Sequence, residues 1–138
     1  MPKTNVQQQI FIDALPEKVW TVLTDSHYVK QYLFDGNLPC LSKEGQQILL
    51  EQHSNGTTEK VHKGSVLKMI PGRLLKYELA EDLGGSLSSL TYEIIPGQKG
   101  IELKFCSECC SSDSEQYLFR IKQTTLLLQK IKWLAEYA

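Results

Sequence analysis

The chain has 138 residues, of which 41% are hydrophobic and 22% charged, with a formal net charge of −1. That size predicts one domain over 1–138, able to bury roughly 68% of its unfolded surface without disulfides or metal. The near-neutral charge excludes an electrostatic drive toward nucleic acid or an anionic membrane. No apolar run approaches the roughly 20 residues of a membrane span, and the polar opening from Met1 to Gln9 lacks a signal-peptide core. A cytoplasmic, reducing setting is the resulting expectation, with Cys40, Cys106, Cys109 and Cys110 read as thiols rather than a disulfide framework.

Val6 to Asp13 predicts a strand with Val6, Gln8, Ile10 and Ile12 on one face. Pro16 to Thr24 predicts a short helix. Pro16 suits its first turn, Val19, Trp20 and Leu23 follow at helical spacing, and Leu15 is a poor N-cap. A second short helix is expected from Ser26 to about Leu33, with Asp25 as its cap. Asp35-Gly36-Asn37 and Pro39 then break the chain into a loop.

The middle of the chain reads as strands separated by turn signals. Ile48 to Leu50 lie in a strand ending near His53, and Asn55-Gly56 predicts a tight hairpin. The returning strand runs from about Thr58 to Ile70, with Gly64 as a candidate bulge. Pro71-Gly72 turns the chain into Arg73 to Ala80, which sets Leu75, Tyr77 and Leu79 on one face. After Gly84-Gly85, Leu90, Tyr92 and Ile94 share a face. After the turn from Pro96 to Gly100, so do Ile101, Leu103 and Phe105. Hairpin spacing throughout predicts an antiparallel sheet of about six strands.

Cys106 to Ser114 reads as a polar loop. Ser112-Asp113-Ser114-Glu115 fits a capping box, and no glycine or proline interrupts the chain from there to Tyr137. A helix of about 24 residues, roughly 36 Å long, is expected. Tyr117, Ile121, Thr124, Leu128, Ile131 and Ala135 form its apolar stripe, widened by Leu127 and Leu134. The fold class is therefore α+β.

Two segments carry a family resemblance. Ala14-Leu15-Pro16-Glu17-Lys18-Val19-Trp20 resembles the small-Pro-Glu-x-Val-Trp segment of the START-like, or SRPBCC, superfamily. Gly64-Ser65-Val66 through Pro71-Gly72-Arg73-Leu74 resembles the Gly-x-Val hairpin of one family within it, named for the activator of the heat-shock chaperone ATPase. The resemblance covers essentially the whole chain. It implies a helix-grip fold, as in the birch-pollen allergen: a curved sheet wrapped around the C-terminal helix, with two short helices after the first strand. The chain departs from that family where Ser42 to Gln46 lacks an aromatic-Gly segment, and where the last helix opens Ser114-Glu115-Gln116-Tyr117 rather than Gly-Trp.

No catalytic residue set emerges. The sequence has no G-x-S-x-G elbow, no G-x-G-x-x-G run and no P-loop, and no cofactor is implied. Cys106, Cys109 and Cys110 lack the second ligand pair of a structural zinc site. His53 would pair with Thr58, and His62 with Leu49. That separates the two histidines by roughly 13 Å, too far for one metal ion. Glu78 and Glu93 fall on outer faces, so an enzyme is not the leading reading.

The inward aromatics fit two readings: they fill the core, or they line a ligand cavity of the kind the resemblance implies. The candidate ligand residues are Leu23, Tyr28, Tyr32, Met69, Tyr77, Tyr92, Phe105 and Leu128. The ligand would be a small apolar or amphipathic molecule held without chemistry. The alternative is a co-chaperone-like interaction domain of the stress response. It would dock on a chaperone or on itself through an exposed apolar patch.

Overall fold

The computed structural model describes residues 4–25, 27–28, 31, 43–54, 57–80, 87–109 and 114–137. Strand β1 (Thr4–Ile12) leads into helix α1 (Pro16–Thr24). Strands β2 (Gln47–Ser54), β3 (Thr57–Ile70), β4 (Leu74–Ala80), β5 (Leu87–Pro96) and β6 (Ile101–Cys109) follow, and helix α2 (Ser114–Tyr137) closes the order. The strands form one antiparallel sheet in the order β1-β6-β5-β4-β3-β2.

Helix α1 starts where Pro16 sets it. Leu15 is extended, makes no side-chain cap and stands 71% exposed, while its carbonyl accepts from Lys18 N and Val19 N. The helix ends at Asp25, whose N–H bonds Thr21 O at 2.9 Å. The Asp25 carboxylate then accepts the His27 N–H at 2.9 Å, so it caps the next turn, which is helical at His27, Tyr28 and Gln31. The rest of the expected second helix, with Tyr32, lies outside the described residues, as do the Asn55-Gly56 and Gly84-Gly85 turns and the Ser112 cap.

The β3–β4 connection is a type II turn. Pro71 holds its second position and Gly72, at φ +76°, its third, with Arg73 N bonding Ile70 O at 2.9 Å. The β5–β6 turn brings Gly100 so close to β1 that an added Cβ would overlap Ile12 O and stand 3.0 Å from the Phe11 ring. Only glycine fits that approach.

Register aligns the inner face in rows. Val6, Ser107, Leu90, Tyr77 and Val66 face one another in sequence across five strands, and so do Gln8, Phe105, Tyr92, Leu75 and Met69. Two bulges correct the expected register. Leu67 is the extra residue between the Val66–Tyr77 and Lys68–Lys76 pairs, and it is why Val66 and Met69, three apart, both join inward rows. Gly64, the expected bulge, is paired in register on both sides with Ile48 and Leu79. Glu59 is the extra residue opposite Gln52 and His53, so His62 pairs with Leu50 rather than Leu49, while His53 does pair with Thr58.

Strand β6 also runs past its expected end. Cys106, Ser107, Glu108 and Cys109 are in the ladder with β1, from Gln7–Cys106 to Thr4–Cys109, so the strand runs four residues further than the composition implied. Cys106 and Glu108 alternate onto the other face, half-buried, while Ser107 is buried in the inner row.

Helix α2 packs on β1 and α1. Thr124, Leu128, Ile131, Leu134 and Ala135 are buried, with Ile121 and Leu127 half-buried, as the stripe predicted. Polar stitches fix the helix along β1. Gln8 donates to Ile121 O at 3.2 Å and accepts from Thr125 Oγ1 at 3.2 Å. Lys132 Nζ reaches Phe11 O at 2.7 Å. No helix among the described residues is long and apolar enough to cross a membrane.

Candidate functional site

Two surfaces of this fold carry the candidate function: the inner face of the sheet, and the outer face of α2. On the inner face, Tyr77 on β4, Tyr92 on β5 and Phe105 on β6 form an aromatic ladder. The Tyr77 and Tyr92 rings stack at 6.2 Å, and Tyr92 meets its cross-strand partner Phe105 at 5.1 Å. Burial pushes the Tyr77 phenol up to about 12, with the neighbouring Tyr92 as the smaller opposing influence.

The structure thus brings most of the candidate ligand residues into one region but packs them tightly. Leu23, Tyr77, Tyr92, Phe105 and Leu128 are each no more than 3% exposed, in a single core cluster with Val66, Leu75 and Ile131. Met69 and Tyr28 sit half-buried against that cluster. The Met69 N–H donates to Glu44 at 3.1 Å, and Lys18 Nζ donates to the Tyr28 hydroxyl at 3.2 Å. Tyr32 lies outside the described residues. A molecule lodged at the ladder would lie among side chains almost wholly withdrawn from solvent.

Glu93 is exposed, and Glu78, on the face opposite Tyr77, meets the Ser65 hydroxyl at 3.5 Å. Cys106 is half-buried in β6. Burial first, then the neighbouring Glu108, pushes its thiol up, away from the reactive thiolate. Among the described residues, no three His, Cys, Asp or Glu side chains are placed to share a metal ion.

The outer face of α2 holds what the sequence reading missed. Leu126, Trp133 and Tyr137 are 55%, 59% and 72% exposed. At about 100° per residue they fall within about 40° of one another, on the side away from Leu128. The Trp133 and Tyr137 rings approach to 6.1 Å. Beside them a shallow groove of about 350 Å³ runs between α2 and the capped turn, lined by Gln31, Leu126, Gln129, Lys130, Trp133 and Leu134. The signal was present in the spacing i, i+7, i+11 of the apolar residues that the inner stripe leaves over.

An antiparallel sheet that grips one long C-terminal helix, entered through a strand and a proline-started helix, defines a START-like domain. Residues 13–134 match the model of the family described as Activator of Hsp90 ATPase homolog 1-like protein, and the chain belongs to that family. Solved structures agree on the fold. A Mesorhizobium loti protein aligns at TM-score 0.80 and 19% identity, covering 94% of this chain and 95% of its own. A Cytophaga hutchinsonii protein aligns at 0.79 and 22%, covering 94% and 91%. The Aha1 dimer from Colwellia psychrerythraea aligns at 0.76 and 18%, covering 96% of each chain. No curated protein matches this chain.

Proposed function

We propose that the chain works as a single protein-interaction domain that docks through the outer face of α2. The observation that carries this reading is the line of Leu126, Trp133 and Tyr137, all more than half exposed on one helix face. Large aromatic side chains left in water beside a groove are typical of binding surfaces, and Trp and Tyr dominate binding energy where they become buried. The family description, which refers to a chaperone ATPase, and the dimeric Colwellia relative supply two partner classes: an Hsp90-type chaperone and a second copy. Hydroxyl-radical footprinting tests the reading. Trp133 and Tyr137 should lose labelling when the domain is concentrated or mixed with the purified chaperone. Equal labelling in all conditions would overturn it.

A second reading, a small apolar or amphipathic ligand between sheet and helix, is favoured by one feature. The Tyr77 and Tyr92 phenols place polar groups deep in an otherwise apolar core, where they could orient such a molecule. Native mass spectrometry of protein purified from its own host tests it. An added mass released on denaturation supports it, and the bare chain mass counts against it.

A further inference from the structure

The charges around the exposed line point to the chemistry of its partner. Helical spacing puts Lys122, Gln129 and Lys130 within about 60° of Leu126, on both sides of the apolar line. Lys122 and Lys130 are exposed and form no ion pair among the described residues. Among the described residues, Lys130 is the one charged side chain lining the groove. Between positions 121 and 137 the sole carboxylate is Glu136. It is held away from this face by Lys132 Nζ at 2.8 Å and by the Asp13 N–H at 2.9 Å. Over residues 121–137 the face is therefore apolar along its centre and cationic along its margins, and no acid in that span is free to offset the lysines.

That pattern disfavours a second copy as the occupant. Antiparallel pairing of two copies that sets Leu126 against Trp133 places the dyad between positions 129 and 130. The two Lys130 ammonium groups then meet at the centre of the contact, where like charges repel. We propose instead that this face takes an acidic, amphipathic segment of a different protein. The segment's apolar side chains cover Leu126, Trp133 and Tyr137, and its carboxylates pair with Lys122 and Lys130. The proposal rests on the docking reading given above and names the occupant of that same face.

The test uses the full chain and three synthetic peptides. One is an amphipathic helix with Leu and Phe on one face and glutamates along its margins. The second carries lysines in place of the glutamates, and the third is an acidic scramble with no apolar face. Binding is followed by tryptophan emission, with Trp133→Phe assigning the signal. The acidic amphipathic peptide should bind, and the other two should not. Binding should weaken about tenfold in Lys122→Glu/Lys130→Glu, and should fall as ionic strength rises. Trp133→Ala should weaken it by about thirtyfold or more.

Equal binding of the acidic and lysine peptides, or no binding of either, overturns the proposal. So does a dimer, measured by sedimentation, that Trp133→Glu disperses. If the acidic peptide fails while a chaperone or a second copy still protects Trp133 from radical labelling, this inference falls and the docking reading stands. If nothing protects Trp133, both fall.

Discussion

Glu136 accepts the backbone N–H of Asp13 at 2.9 Å, and so ties the last turn of α2 to the first residue after β1. The same carboxylate holds Lys132 at 2.8 Å, and Lys132 in turn reaches Phe11 O and lies 5.5 Å from the Phe11 ring. The Lys132 hydrogen bond, then the Asp13 N–H, keeps the Glu136 carboxyl below the usual carboxylate range. A carboxylate depressed in the folded state adds stability that is present above its unfolded pKa and lost as pH falls through the folded one. Glu136→Gln should therefore lower Tm by roughly 2–4 °C at neutral pH. The difference should shrink as the pH drops below the carboxylate range, which thermal melts of both proteins across an acid series would establish. A constant difference at all pH values would count against the clamp.

The opposite limb of the pH profile belongs to Tyr77. Its phenol is raised to about 12 by burial, whereas an unfolded tyrosine ionises near 10. The buried neutral phenol therefore contributes stability that is fully present below about pH 10 and falls away between there and about 12. Urea midpoints at alkaline pH should decline more steeply in the parent chain than in Tyr77→Phe, which removes the ionising group and keeps the ring.

The two faces of α2 separate stability from docking. Leu128 is 2% exposed within the core, and Leu128→Ala should cost about 2–5 kcal/mol in denaturant unfolding. Trp133 is 59% exposed, and Trp133→Ala should stay within about 0.5 kcal/mol. A large loss in the second variant would mean that Trp133 serves the core after all.

Glycine positions provide a control on backbone reasoning. Gly100→Ala pushes a methyl group into the Ile12 carbonyl and the Phe11 ring, and should destabilise by about 2–3 kcal/mol. Gly72→Ala meets open space and carries only the strain of φ +76°, about 1 kcal/mol. Reversal of that order in equilibrium unfolding would show that the β5–β6 turn yields more easily than its contacts imply.

Most of the architecture was legible because it rests on local signals. Pro16 opened α1, Pro71-Gly72 made the turn between β3 and β4, and the period of two in Leu75/Tyr77, Tyr92/Ile94 and Leu103/Phe105 set the inner face. The bulges at Glu59 and Leu67 escaped because pairing register depends on the partner strand rather than on the bulged residues. The strand through Cys109 escaped for a related reason: small polar residues have weak strand preference, and pairing with β1 decides their conformation. Leu126, Trp133 and Tyr137 were hidden by a reading that sought one apolar stripe per helix and stopped when it found one. The aromatic ladder was foreseen as inward-facing, but no spacing rule reveals whether inward rings leave room between them.

The place of β1 at the sheet edge sets a schedule for synthesis. Among the described residues its strand partner is β6, reached by pairs such as Thr4–Cys109, and the helix that covers it follows every described strand in the chain. At about 5–20 residues per second a ribosome needs roughly 5–20 s to complete the intervening chain. Through that interval Val6, Ile10 and Ile12 have neither a ladder nor a helix to bury them. The hairpins of β2 to β5 complete their local contacts first, and the strand made first waits longest for its place.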